Sequence, residues 1–249
     1  MTHLSETDAR VLACVFEPEG IPAGTKVFVD PSLPEHNQIQ DHEVLQNIAR
    51  REREAIYLIE QFEKSDKLGN SSKHETFATA IQILDDLIMS HPTYAPAWND
   101  RAQLRRWRYG DHNTICQDQA SIDRERAKMG SEAVTDLRTA LRLASTPRPQ
   151  DPVSPKQGRL LAQSYTQLGA LLYAASRDLS TTESVVVGAG FEDWTQSRFE
   201  EESSKAFFLG GTYGNEVAKA LAVHTNPHAK LCGSVVEEAI RREVASNVM

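Results

Sequence analysis

Cysteine is scarce in this sequence, and the three cysteines that it has are far apart. Cys14, Cys116 and Cys232 are odd in number, which favours reduced thiols in an intracellular protein over a disulfide framework. Long apolar runs are absent as well, since none reaches the roughly 18 residues that cross a bilayer. The stretch MTHLSETDAR lacks the basic and apolar regions of a signal peptide. We therefore expect a cytoplasmic protein without a membrane segment, and the nucleus stays open as a second compartment.

Positive charge is also in short supply. The chain has 27 Lys and Arg against 35 Asp and Glu, so its formal net charge is −8. Nucleic-acid binding rests on neutralising phosphates with lysine and arginine. The charge balance therefore predicts that nucleic acid is not a partner.

The motifs of common active sites are missing. His224 and His228 are four residues apart, but Asn226-Pro227 interrupts the helix that would place them on one face. Gly188-Ala189-Gly190 and Gly210-Gly211 are isolated and do not follow a predicted strand, as a phosphate-binding loop would. The sequence thus predicts no catalytic residue, no metal and no cofactor, and an enzyme is only a distant alternative.

What the sequence does contain is a recurring pair of helices. Residues 79–111 contain two helices. The first has a small residue, a large residue and a third packing residue on one face, and it ends at a proline. The second begins with a tryptophan. Residues 131–145 repeat this spacing, and residues 164–173 fit the first-helix pattern of a tetratricopeptide repeat. The residues that carry the pattern are Ala80, Leu84, Leu87, Pro92, Trp98, Ala102, Ala133, Leu137, Ala140, Tyr165, Leu168, Gly169 and Leu172.

These repeats predict an all-α fold. We expect three tetratricopeptide-type hairpins in a right-handed superhelix with a C-terminal capping helix. The glycines at 210, 211 and 214 are expected to break the chain, and Asn226-Pro227 to begin the capping helix. The predicted helices cover 43–68, 75–90, 96–109, 131–144, 158–176, 194–209 and 227–245.

The predicted domain organisation has three parts. Residues 1–40 form a short helix and a Pro/Gly-rich linker, with an extended piece near 26–29. Residues 41–225 form the repeats, and residues 226–249 form the cap. Insertions interrupt the repeats at 113–130, 146–157 and 179–193. We expect the DRERAK centre of the first insertion to be a solvated helical extension of the helix that follows, and the second insertion to be a stiff, Pro-rich loop without a core of its own.

Three short stretches carry a more specific resemblance: VLACVFEP, AWNDRAQLRRWRYGD and NPHAKLC. In these the chain resembles the tetratricopeptide repeat protein thirty-six family. Arg101 and Arg105 break the general repeat pattern but fit this family, whereas His228 and Gly233 depart from it. The resemblance implies a three-repeat scaffold without catalytic activity that is linked to tyrosine catabolism.

Repeat geometry predicts that a partner protein or peptide segment lies in the concave surface lined by the first helix of each repeat. The arginines between Arg101 and Arg108 either hold an acidic partner or pair within the chain, and the sequence leaves both possibilities open. The candidate lining residues are Asn99, Gln103, Arg106, Gln163, Thr166 and Ala170.

A co-chaperone that holds the carboxylate of a heat-shock protein is the alternative function. Such repeats place cations and asparagines on their first helices. Here Ile59 and Glu63 stand at the first pair of positions, and Gln163 and Gln167 at the last. The sequence therefore favours a different protein partner.

Overall fold

The computed structural model describes residues 27–36, 39, 41–65, 70–110, 114–118, 124–148, 151–181 and 183–226. This part of the chain is mostly helical, which confirms the predicted all-α class. Both the helix expected near the N-terminus and the helix expected over 227–245 lie outside the described residues. The helices are α1 (His42–Lys64), α2 (Asn70–Ser90), α3 (Ala95–Tyr109), α4 (Glu125–Ala144), α5 (Pro155–Thr181), α6 (Gln196–Thr212) and α7 (Glu216–Thr225), and the strands are β1 (Cys116–Asp118) and β2 (Ser184–Val186).

Each helix packs antiparallel against the next, so α1–α2, α3–α4 and α5–α6 are helical hairpins. In the first hairpin Ile48 packs beside Leu87, and Ala55, about two turns further along α1, packs beside Ala80. Side-chain caps begin several of the helices: the Asp41 carboxylate, for example, accepts from the backbone N–H groups of the first turn of α1. The apolar stripe of each helix then faces its two neighbours in the row.

The residues of the repeat pattern occupy the helix contacts. Tyr165, Leu168 and Trp98 are partly buried, and Pro92 is exposed in the loop between α2 and α3. The Trp98 indole Nε1 donates to the Pro92 carbonyl at 2.9 Å, which ties the loop to α3. The remaining pattern residues are buried: Ala80, Leu84, Leu87, Ala102, Ala133, Leu137, Ala140, Gly169 and Leu172.

The first and third insertions are not independent loops. Strand β1 pairs antiparallel with β2, with Cys116 opposite Val186. Helix α4 extends back to Glu125, as predicted for the DRERAK centre, whereas Ile115, earlier in the same insertion, is wholly buried. The reason is that Ile115 and Cys116 pack into the main core cluster beside Phe191.

The second insertion packs one residue into the core of the neighbouring helices. Val153 is wholly buried beside Leu160 and Leu161. Its N–H donates to the Phe28 carbonyl at 3.0 Å, and its carbonyl accepts from the Asp30 N–H at 2.9 Å. The extended piece predicted near residues 26–29 is therefore anchored here by a parallel bridge between Val29 and Val153.

The prediction for the glycines near residue 210 is wrong in part. Gly210 and Gly211 lie inside α6. A Cβ at Gly211 would come within 2.9 Å of the Lys219 backbone. Small residues permit this close approach of α7, a helix that was not predicted. Of these three glycines, only Gly214 interrupts the helical backbone, at φ +99°. Asn226, expected to begin a capping helix, is the C-cap of α7.

Candidate functional site

The first helices of the three hairpins enclose a cavity of about 500 Å³. We call it the central cavity. It lies between the N-terminal halves of α1, α3 and α5, and Glu35, His36 and Ile39 line one side. Leu45 and Ala49 on α1, Pro96 on α3 and Leu160 on α5 give it apolar walls. A concave, mostly apolar space with a few convergent polar groups is the usual form of a binding site.

Two carboxyl groups from different helices meet in this cavity, Glu52 of α1 and Asp100 of α3. We call them the carboxyl pair. They hydrogen-bond to each other, and the Tyr94 hydroxyl donates to Glu52 Oε2 at 3.1 Å. Asn99 Nδ2 donates to Asp100 Oδ1 at 3.3 Å. Within the described residues, no lysine or arginine comes within ion-pair distance of either carboxyl group.

Burial changes the acidity of this pair. Desolvation, together with the nearby Asp100 charge, raises the pKa of Glu52 to about 8. Desolvation also raises the pKa of Asp100. Both shifts have the same physical origin, because a carboxylate that leaves water without a cation beside it is costly. The pair therefore shares a proton near neutral pH.

The rim of the central cavity carries opposite charges. Lys156 Nζ lies 2.5 Å from Glu35 Oε2, and both side chains are half exposed. The His36 ring lies over the Tyr94 ring with centroids 5.1 Å apart, and burial lowers the pKa of His36. Arg159 is exposed at the same rim. The segment 35–36 is thereby held against α3 and α5.

The structure does not bring the six predicted lining residues onto one surface. Asn99 and Gln163 line the central cavity, and Gln103 is exposed one turn further along α3. Thr166 and Ala170 instead face α6 and α7. A Cβ on Gly210 would meet Thr166 Oγ1 at 2.8 Å, and Ala170 packs with the Phe207 cluster.

Asn99 and Arg106 serve the contact between α3 and α5. Asn99 is buried, and its Oδ1 accepts from Ser164 Oγ at 2.8 Å and from Gln167 Nε2 at 3.1 Å. Arg106 Nη1 donates to Gln167 Oε1 at 3.3 Å. These bonds orient α3 against α5 and so set the width of the cavity.

Two of the clustered arginines pair within the chain. Arg101 bonds Asp136 through two nitrogens, at 2.6 and 3.0 Å, and bonds Asp85 at 2.6 Å. Arg105 also bonds Asp136, and it bonds Glu132 at 3.1 Å. For these two arginines the question that the sequence left open is answered by internal pairing.

Similarity to a known protein extends over nearly the whole chain. No protein-family model matches it, and no solved structure does. It is 38% identical over 256 residues to the L-tyrosine degradation gene cluster protein hmgX of Aspergillus fumigatus strain Af293. The alignment covers 97% of this chain and 93% of the relative. The chain belongs to the hmgX family.

Sequence reasoning missed the carboxyl pair of this hmgX-family protein. Glu52 lies in the run Arg51-Glu52-Arg53-Glu54, which has the appearance of a solvated helix face. Helical spacing does give one signal: Ile48 and Ala55 are buried, so Glu52, at four from one and three from the other, borders the buried face. Nothing local indicates that Asp100 approaches it.

The described part of the chain has neither a membrane-spanning helix nor a metal-binding cluster. No helix there is long and apolar enough to span a bilayer. Nor does that part contain a group of three His, Cys, Asp or Glu side chains able to hold a metal ion.

A Glu52→Gln variant is expected to be more stable than the original chain, by a margin that grows from about pH 5 to about pH 8. The unfolded glutamate ionises near its ordinary pKa of 4.5, whereas the folded one holds its proton to about 8. Glu52 therefore favours folding at low pH and loses that advantage as the pH rises through this window. A glutamine keeps an acceptor for Tyr94 and a donor for Asp100, and it does not ionise.

Thermal melts across this pH window test the prediction. Glu54→Gln is the matched control, because Glu54 lies two residues further along α1 and is exposed on its outer face. This control measures the effect of replacing an exposed glutamate with glutamine on the same helix. Parallel melting curves for Glu52→Gln and the original chain at every pH would contradict a raised pKa.

Proposed function

We propose that this chain is a non-catalytic protein-interaction scaffold of the tetratricopeptide repeat type that serves tyrosine degradation. One observation carries the proposal: the central cavity lies between the first helices of three successive hairpins, which is where such repeats hold a partner segment. The relative named for an L-tyrosine degradation gene cluster supports the pathway. The resemblance in AWNDRAQLRRWRYGD supports the family.

The partner surface that we propose extends from the central cavity along α1, α3 and α5. Ile56, one turn beyond Glu52, is 42% exposed, and Gln103 and Gln163 are exposed on the two other helices. An apolar side chain flanked by amides suits an extended peptide, because the amides can bond its backbone. The hydrogen bonds between α3 and α5 keep this surface rigid, so little conformational entropy is lost on binding.

The charges in the cavity argue against the heat-shock co-chaperone. A terminal carboxylate needs cations around it, and Glu52 and Asp100 would repel it. Lys156 is already neutralised by Glu35. We therefore favour a partner from tyrosine degradation over a chaperone tail.

Site-specific photocrosslinking tests the proposal. A benzoylphenylalanine is placed at Gln103 or at Gln163, and at Met89 as the control. Met89 is 77% exposed on α2, a second helix of a hairpin. In cells grown on tyrosine, we expect adducts with an enzyme of tyrosine degradation at Gln103 and at Gln163, and not at Met89.

Two results would overturn it. The first is a set of adducts that is the same at Met89 as at the groove positions. The second is turnover of tyrosine or of one of its breakdown products by the purified chain alone, because a scaffold has no activity of its own.

A further inference from the structure

We propose that the central cavity recognises an arginine side chain of the partner segment. This inference rests on the proposed function, since it names the chemistry of the partner at the same surface. The guanidinium group would replace the hydrogen bond between Glu52 and Asp100 and bond both carboxylates, and its aliphatic stem would pass along the apolar walls. A groove that holds a cation is the opposite of one that holds a terminal carboxylate.

The first argument is the contrast between two sets of carboxyl groups. Asp136 is buried and receives two arginines from its own chain. Glu52 and Asp100 are partly buried and interact with each other, and Lys156 acts on Glu52 only from beyond ion-pair distance. Two carboxyl groups that share a site cannot both ionise cheaply without a cation. A bound guanidinium would supply the missing charge.

The second argument is that the space suits arginine. A cavity of about 500 Å³ is ample for one long side chain. The guanidinium is planar and carries five N–H donors, so it can bond two carboxylates at once. Its weak hydration also suits carboxyl groups that are partly buried. Leu45, Ala49 and Leu160 line the cavity and offer apolar contact to the methylene groups.

The third argument concerns the positive groups already at the rim. Lys156 is paired with Glu35, so its charge is compensated. The His36 ring packs against Tyr94, and burial favours its neutral form by lowering its pKa. His42 and Arg159 lie at the outer edge, where Arg159 is exposed and solvent screens its charge. The positive groups therefore lie at the rim, and Glu52 and Asp100 make the floor of the cavity acidic.

The cation and the shared proton would compete. Below the pKa of the pair, a proton must leave before both carboxyl groups can bond the guanidinium. Affinity for arginine should therefore rise with pH, by up to about tenfold for each pH unit below the pKa of the pair. Lys156, Arg159, His36 and His42 face the same cavity. His36, whose pKa burial lowers, loses any positive charge as the pH rises, which acts in the same direction.

The test uses the full chain and a defined probe, Nα-acetyl-arginine methylamide. Its neutral isostere, Nα-acetyl-citrulline methylamide, is the matched control. Carboxyl-carbon NMR of Glu52 and Asp100 reports binding. We expect saturable shifts at millimolar arginine probe, at least about tenfold weaker binding of the citrulline probe, and tighter binding at about pH 8 than at about pH 6. Equal binding of the two probes would overturn the proposal.

Variants locate the probe. Glu52→Gln and Asp100→Asn are each expected to weaken arginine binding at least about tenfold, because each removes one carboxylate. Glu54→Gln should bind as the original chain does. Unchanged affinity in both cavity variants would place the probe elsewhere and refute the site. If either variant fails to fold, the pH dependence of arginine binding by the original chain is the test. An affinity that stays flat or falls as the pH rises would contradict competition between the cation and the proton.

The result is separable from that of the proposed function. Photocrosslinked adducts at Gln103 and Gln163 without arginine binding would remove the arginine site and leave the scaffold. Arginine binding without adducts would keep the site and remove the scaffold. A lysine probe that binds as tightly as the arginine probe would overturn the choice of guanidinium.

Discussion

Replacing Asp136 with alanine is expected to lower the free energy of unfolding by about 3–5 kcal/mol. The Asp136 side chain is 3% exposed, and it accepts from Arg101 Nε and Nη2 and from Arg105 Nη1. Both arginine side chains are themselves largely buried, at 14% and 12% exposed. Without the aspartate, two cations would remain close together inside the contact between α3 and α4.

Urea unfolding measures this loss. Asp85→Ala is the matched control, because Asp85 also accepts from Arg101 but its side chain is 43% exposed. Its loss should stay below about 1 kcal/mol. A chain that carries Asp136→Leu, Arg101→Met and Arg105→Leu together should recover much of the stability, since no buried charge remains. Equal losses for Asp136→Ala and Asp85→Ala would show that burial does not set the energy of this network.

The second large effect is expected at the contact between α5 and α6. A Cβ added to Gly169 would lie 2.9–3.0 Å from ring atoms of Phe207, which is 1% exposed. Ser203 Oγ donates to the Gly169 carbonyl at 2.9 Å, so the two helices cannot easily move apart. Gly169→Leu should therefore cost about 3 kcal/mol or more, at the upper end of what overpacking usually costs.

Thermal and urea melts of four variants test this interpretation. Arg177→Leu, at an exposed position on the same helix, should leave the melt nearly unchanged. Gly169→Ala should cost less than Gly169→Leu, because alanine adds only a Cβ at the contact with Phe207. Adding Phe207→Leu to Gly169→Ala should return part of the loss by making room. A Gly169→Leu chain that melts as the original does would show that α5 and α6 are not in close contact here.

The helices of this protein are predictable because their signals are local. The pattern Ala80, Leu84, Leu87 and its counterpart Ala133, Leu137, Ala140 mark helix faces that the structure buries. Helical spacing needs only neighbours three and four residues apart, so it can be recognised in a short window. The placement of α1 to α6 and the close contact at Gly169 follow from such windows.

Glycine misled the prediction where two physical roles coincide. Gly214 ends a helix through its positive φ, but Gly210 and Gly211 are helical and small. A breaker and a close-approach residue look alike in a sequence, because both are simply glycine. Which role applies depends on α7, whose Lys219 backbone occupies the space that a side chain on Gly211 would need.

By itself the sequence determined the helical class, the order of the hairpins and the small residues at their contacts, since these depend on interactions between close neighbours in the chain. Only the tertiary structure decided what distant residues do together. It placed Tyr94 on Glu52 across 42 residues, Arg101 on Asp136 across 35, and β1 beside β2. Charged residues on a helix look the same whether they face water, an internal partner or a cavity. The candidate site is therefore a product of packing, because burial and the nearest opposite charge exist only once α1, α3, α4 and α5 have come together.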